Sequence, residues 1–463
     1  MRHLLFLFAA ALAAQDGRRV IATQVHQYSG ISPLSVNMDK ILVMDPSGSA
    51  SIVKATDGSV VAKSAPYSEG HWDNVDDDLM YVVRRNGQNT SPQISTWRPS
   101  TGVYTTYIDY TGIFTSIITG ATADITYDNW FAFWAQTEHT LCAVDLTAKK
   151  TYCIDVNAPD PLNHLPLVTP GIDWVAATPR DSKSGLHYVV MMATPAMGVF
   201  SVDEAAGVLR WVVRPETVFP WMGAGKGNND GNCDPSESCI TTPHSDILTA
   251  ADGQVYLVMD TGIENDALSV CQVGRGLLRL NAGALMTKPE NLAGVSGGAM
   301  KYAGPDFYCG GSQVWSATHT GCNRWGGHCL VSFDTPKPTT QTSTPKKNEL
   351  WLLGIDATGT PTYAKLGVSS TSYVNAGPSA DANYWSSSRA ALSMDGTQII
   401  YDSDAGTNGA THNVYERASG CQAVRLREQP VAAGGGDSIR GSAPFQNGPS
   451  VKRFSETCIS LIQ

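Results

Sequence analysis

The sequence predicts an all-β fold, a β-propeller of seven four-stranded antiparallel blades closed by the chain termini. Three observations predict it: a hairpin pattern that recurs seven times, a composition rich in turn formers and aromatics, and few charges. The 463 residues include 44 Gly, 25 Pro, 11 Trp and 17 Tyr, with only 16% charged residues, which favours many strands and turns over long amphipathic helices.

At the amino end, Met1, Arg2 and His3 precede an apolar run from Leu4 to Leu12 and then Ala13 and Ala14, the order of a secretory signal. A membrane anchor needs about 18 apolar residues or more, and this run is shorter. Residues 1–14 are therefore expected to be a signal peptide and 20–463 a single propeller domain, secreted or periplasmic, with no membrane span. The formal net charge is −10, and basic runs do not exceed pairs such as Arg84-Arg85. Nucleic acid is an unfavourable partner for such a surface.

The recurring hairpin is an apolar strand, a short turn with small or acidic residues, and a second strand of mixed polarity. Its copies start at Ile41, Ile94, Leu141, Val199, Leu277, Leu350 and Asn413. Before most of them lies a tighter, more apolar hairpin, clearest in HSDILTAADGQVYLVMD from His244 and SRAALSMDGTQIIYDSD from Ser388, and weaker from Gly70 and Ala121. Two hairpins make four strands, one blade. The copies from His244 and Ser388 resemble the bacterial Tol-Pal periplasmic type of propeller repeat (TolB-like), which implies a fold and carries no activity. A β-sandwich pair or a β-helix would lack the double-hairpin period.

The hairpin at Ile41 has no clear inner hairpin before it, and about 35 residues follow the seventh copy, ending in CISLIQ. The two termini are expected to complete one shared blade, which removes an exposed sheet edge. Ten cysteines, an even number, suggest bridges in an oxidising compartment. Spacing pairs Cys142 with Cys153, Cys233 with Cys239 and Cys322 with Cys329; elimination leaves Cys271 with Cys309 and Cys421 with Cys458.

Long segments at 214–243, 260–274, 286–318, 334–347 and 402–412 all fall in connections expected to share one face, opposite the tight turns. Long loops on a rigid scaffold are where sites are usually built. Histidine recurs where blades begin: His71, His244 and His319, each counted back from the inner turn, with Arg389 near the matching place in the last blade. Imidazoles converging on a central funnel suit a divalent metal, or one serves as a general base; the plainer reading is that each bonds nearby backbone. His328 is expected at the other face, packed beside the Cys322–Cys329 bridge. In NNDGNCDPSESC, Asp230 and Asp234 among alternating oxygen ligands over 228–237 suggest calcium, although the spacing to Glu237 is short, Cys233 and Cys239 interrupt it, and a disulfide-tied turn is the plainer reading.

No Gly-x-Ser-x-Gly, His-Glu-x-x-His or phosphate-loop signature is present. Two functional readings remain. In the first, the propeller binds a glycan or peptide at its elaborated face, as a monomer, with Trp221, Trp315 and Trp385 stacking on the ligand. In the second, by distant analogy with propeller polysaccharide lyases, it is a metal-assisted lyase: His244 or His319 as base, Tyr308 or Tyr302 as acid, and Arg324 or Arg389 facing a uronate carboxylate. Fold alone does not choose between them.

Overall fold

The structure, a computed structural model, describes residues 19–23, 26–27, 33–44, 50–63, 70–83, 92–118, 124–158, 174–193, 196–213, 237–265, 270–281, 303–308, 318–333, 349–356, 361–369, 390–403 and 413–419. These residues form strands and turns, with no helix among them. The expected signal at 1–14 lies outside the described residues, and no described helix is long and apolar enough to cross a membrane.

The strands follow the chain as successive antiparallel meanders. After β1 (Arg19–Thr23) come β2 (His26–Gln27), β3 (Lys40–Met44), β4 (Ala50–Lys54) and β5 (Val60–Lys63), which form one four-stranded sheet in that order. The next sheet holds β6 (Gly70–Trp72), β7 (Met80–Val83), β8 (Gln93–Arg98) and β9 (Val103–Asp109). Then β10 (Trp130–Ala135), β11 (Thr140–Asp145) and β12 (Lys150–Asp155) meet β13 (Trp174–Ala177), β14 (Tyr188–Ala193), β15 (Ala196–Asp203) and β16 (Val208–Val213). These seven strands form one sheet only because the outer strands β12 and β16 touch in parallel at Cys153 and Val208.

Two further four-stranded sheets hold β17 (Glu237–Thr249), β18 (Val255–Asn265), β19 (Val270–Arg279) and β20 (Ala303–Tyr308), then β21 (Thr318–Cys322), β22 (His328–Phe333), β23 (Glu349–Ile355) and β24 (Pro361–Val368). The last runs β25 (Ala391–Leu392), β26 (Gln398–Ser403) and β27 (Asn413–Ala418), with β1 on its outer edge through pairs such as Thr23 with Asn413. The carboxyl-terminal CISLIQ lies outside the described residues.

One backbone hydrogen bond recurs at the inner turn of every unit. The donors are the amides of Ser35, Asp73, Thr126, Thr178, Ala250, Asn323 and Ser393; the acceptors are the carbonyls of Lys40, Leu79, Trp130, Tyr188, Gln254, His328 and Gln398, at 2.8–3.0 Å. The turn residue is usually a small polar one because its side chain accepts a second amide: Thr126 Oγ1 from Trp130 at 2.8 Å, Ser393 Oγ from Gln398 at 3.0 Å. The Asp-Gly copies place Gly253 and Gly396 in the left-handed region, with φ of 82° and 75°. Asn129 and Met38 hold the same kind of position at 63° and 60° without glycine.

Three expected elements are corrected. The copy at Ile41 has its own inner hairpin, closed at Ser35 and Lys40, so β3 and β4 are the second and third strands there, not an outer pair. The copy at Leu277 is not a hairpin: β19 ends at Arg279, and its outer partner is β20. The segment 260–274 is largely strand, since β18 and β19 pair from Asp260–Arg275 out to Asn265–Val270.

Apolar faces are buried between successive sheets. The strand WFAFWA of β10 is buried along its whole length: Trp130, Ala132 and Trp134 pack towards Val175, Val189 and Met191, while Phe131 and Phe133 pack towards Tyr81 and Val83. A strand buried on both faces reads as a continuous apolar run for that reason. Two bridges cross adjacent strands, Cys142–Cys153 and Cys322–Cys329, as the spacing predicts. Cys239 and Cys271 have described backbone only, and Cys233, Cys309, Cys421 and Cys458 lie outside the described residues, as do their expected pairings.

Candidate functional site

Arg324, in the turn between β21 and β22, is the residue that ties the inner edges of distant sheets together. Its Nη2 donates to Asp124 Oδ1 at 2.6 Å and its Nε to Asp124 Oδ2 at 3.2 Å, a forked pair that suits the planar guanidinium. Its Nη1 donates to the carbonyl of Trp72 and, at 3.2 Å, to Asn74 Oδ1. Asn74 in turn donates to the Thr126 carbonyl and to Asn129 Oδ1, both at 2.8 Å. The Arg324 side chain is 1% exposed against 18% for Asp124, so the pair is screened little and its charges balance. Three sheets remote in sequence meet here, which requires their inner strands to face a common axis.

His71, on β6, joins the same cluster. Its Nδ1 lies 3.2 Å from Asp124 Oδ1, its ring tilts against Phe131, and its Nε2 is buried with no hydrogen-bond partner among the described residues. Beside the cluster is a pocket of about 40 Å³ walled by residues at the inner edges of three sheets. Asp124 and Thr126 come from the stretch before β10, Ala176 and Ala177 from β13, Asp246 and Thr249 from β17, and Cys322, Asn323 and Arg324 from the start of the sixth unit. Asp246 accepts the amides of Cys322 and Ile247, both at 2.7 Å. Burial pushes its carboxyl pKa up to about 8 against the pull of those two amides, and the negative charge of Asp124 adds to the rise.

The expected site residues are only partly brought together. Of His71, His244 and His319, only the His71 side chain is described; His244 and His319 have described backbone in β17 and β21. The turn-closing bond gives each backbone position a place along its strand. His71 stands two residues before its turn residue Asp73, His319 four before Asn323, and His244 six before Ala250. At about 3.3 Å per residue His71 and His319 lie about 7 Å apart in depth, while His244 falls in an irregular stretch of β17 between Thr241 and Asp246. Among the described residues no three His, Cys, Asp or Glu side chains form a metal-holding group. At His71 the donor set suits a hydrogen-bond chain better than an ion, since a guanidinium already occupies both oxygens of Asp124.

Arg324, expected to face a uronate, is committed to Asp124. Tyr308 lies in β20 with its side chain outside the described residues, and Trp221, Trp315, Trp385, Arg389, Tyr302, Asp230 and Asp234 lie wholly outside them. His328 sits at the opposite end of the β21–β22 hairpin from His319, which pairs with Ser332, so the two do not converge. Burial lowers the His328 pKa to about 4, as a core imidazole behaves. The residues that sequence reasoning misses are Asp124, Asp246 and Asn74. Their faint signal is an acidic residue followed by Ile ahead of the inner turn, in ADITYDN and SDILTAADG; each carboxylate accepts the amide of that Ile.

No family model matches the chain, and no curated protein matches it in sequence. Several solved structures align with most of the chain at low identity and TM-scores below 0.5. An oligogalacturonate lyase from Vibrio parahaemolyticus aligns over 85% of this chain and 90% of its own, at 10% identity and TM-score 0.44. The β-propeller domain of a Myceliophteria thermophila protein aligns over 86% and 99%, at 12% and 0.38. The WD40 repeats of RRP9 align over 87% and 97%, at 10% and 0.45. Such identities speak to fold alone. The class that the meandering sheets and their shared axis define is an all-β protein of the β-propeller type.

Proposed function

We propose that the chain is a seven-bladed, TolB-like β-propeller, closed by β1 on the edge of the last blade, and that it serves as an exported binding scaffold. Residues 1–14 direct export, and 20–463 take a glycan or peptide at the face where the long connections emerge. The observation that carries this reading is the closed state of the central charges. Arg324 spends its guanidinium on Asp124, Trp72 and Asn74, and His71 is buried behind Asp124. A lyase of the kind considered above needs a cation left over for the substrate carboxylate and a base that meets the substrate, and among the described residues Arg324 and His71 supply neither. A neutralised, dehydrated cluster instead makes a rigid hub on which loops are displayed. In this reading Trp221, Trp315 and Trp385 supply stacking area for the ligand, and Asp230 and Asp234 hold calcium that orders their loop.

Affinity electrophoresis of the purified chain through gels containing single neutral or acidic polysaccharides, alongside an immobilised peptide panel, tests the reading. Retardation by at least one member, weakened when Trp221, Trp315 or Trp385 is changed to alanine, is expected. Native mobility with every glycan together with no peptide retained, or retention unaltered by all three substitutions, overturns it.

A further inference from the structure

We propose that β9 is a self-pairing edge, through which two copies of this chain join by laying the β9 of one against the β9 of the other in antiparallel register. The pairing lies on the outside of the sheet, stands against the monomer expected from the sequence, and needs nothing of the ligand-binding reading.

β9 is the outermost strand of its sheet: β8 pairs with it on one side, and among the described residues no strand pairs with it on the other. Successive side chains of a strand point to opposite faces, so an outer strand packed against a neighbouring sheet hides every second one. Val103, Tyr104, Thr105 and Thr106 are instead all exposed, Val103 to 55% and Tyr104 to 38%. Both faces of this half of the strand are open to solvent. The other half is anchored: the Tyr107 hydroxyl donates to the Leu146 carbonyl at 2.6 Å, the Lys149 ammonium lies 4.1 Å from the centre of the Tyr107 ring, and Tyr110 just beyond is buried. The edge is thus held extended before a partner arrives, which lowers the ordering cost of pairing.

The residues of that edge make it adhesive. Val103–Ile108 reads VYTTYI, every residue β-branched or aromatic, with no charge, proline or glycine. Six such residues on an open edge are the pattern of strands that add to identical strands. The other outer edges are blunted by charge or proline. β5 ends in Lys63, β1 begins with Arg19, β20 carries Pro305 and Asp306, and β24 carries Pro361 and Lys365. β12 and β16 cover each other at Cys153 and Val208.

An uncharged edge offers a charged partner nothing to select, whereas it matches its own copy. A two-fold axis that keeps side chains on matching faces passes beside a single residue. Placed at Thr105, it sets Val103 opposite Tyr107 and Tyr104 opposite Thr106, pairs of β-branched with aromatic residues, and sets Asp109 opposite Thr101, so that no like charges meet. Each copy consumes the open edge of the other, so pairing closes at two. One strand pair of this length falls short of the roughly 1,200 Å² that stable interfaces bury, so association depends on concentration. Because β9 leads away from its tight turn, antiparallel pairing points the looped faces of the two copies in opposite directions.

Sedimentation velocity of the full chain over a wide range of concentration tests the proposal, with thermal unfolding to check that each variant is folded. The native chain is expected to pass from monomer to dimer and no further. Thr105→Lys and Thr105→Glu each bring like charges together at the axis and weaken association roughly fivefold or more, while an equimolar mixture of the two recovers a one-to-one dimer. Val60→Lys, on the exposed outer strand β5, leaves association as in the native chain. A chain that is monomeric throughout overturns the proposal, as does a dimer indifferent to both Thr105 variants, a mixture that stays monomeric, loss of the dimer in Val60→Lys, or growth beyond two copies. A monomeric chain whose β9 amide signals shift in NMR when an unrelated uncharged peptide is added has a peptide-accepting edge, which overturns it too.

Discussion

Arg324 and Asp124 lie 200 residues apart in the chain and are joined by two hydrogen bonds, at 2.6 and 3.2 Å, across the inner edges of their sheets. Removing one partner leaves the other charged and buried. Arg324→Ala is expected to destabilise the protein by about 3–5 kcal/mol in urea unfolding. Arg324→Lys keeps the charge but cannot fork, so it recovers only part of the loss. Full recovery by lysine would show that geometry does not matter there.

Asp246 gives the protein a directional pH dependence. Its carboxyl holds its proton up to about pH 8 in the folded state, against an ordinary value of 3.8. The folded state therefore binds more protons than the unfolded state between those values, and stability falls as pH rises through that window, by at most about 1.4 kcal/mol per unit from this group. Unfolding followed from pH 4 to 9 should show a flatter profile in Asp246→Asn than in the native chain. Equal slopes would contradict the assignment.

The two described bridges close loops of 11 and 7 residues in sequence separation. Each is expected to contribute about 2–3 kcal/mol by restricting the unfolded chain. Paired Cys→Ala variants, measured by denaturant unfolding under non-reducing conditions, check this.

Gly253 combines a left-handed φ of 82° with a close neighbour: a Cβ there would lie 2.9 Å from Ser182 Cβ. Gly253→Ala is expected to cost about 1–2 kcal/mol, seen as a lowered Tm, while the same change at Gly207, with φ of 75° and nothing nearby, costs less.

The meander was legible where turn chemistry is overt. Asp252-Gly253 and Asp395-Gly396 announce their hairpins because glycine is the residue that enters the left-handed region freely. The inner turn at Ser35–Lys40 was not legible, since Met38 holds that conformation without glycine. The strand β20 was hidden by its Gly-Pro pair, which ordinarily argues against a strand. At the site, His71 and Arg324 stood out by residue type, but their shared partner Asp124 did not. Pairing over 200 residues leaves no local pattern, and a lone aspartate before an apolar strand reads as a turn residue. Histidine positions are hard to compare from sequence for a similar reason: the inner turns close over six residues at Asp73–Leu79, four at Ala250–Gln254 and five at Asn323–His328.

The proposed scaffold holds its ligand without cleaving it. The most direct measurement incubates the purified chain with each acidic polysaccharide that it retains and follows unsaturated uronate absorbance, new reducing ends and polymer size together. Bound polymer recovered at its original size, with neither product signal, is the predicted result; unsaturated ends that accumulate with time, and vanish in His244→Ala or His319→Ala, would contradict it.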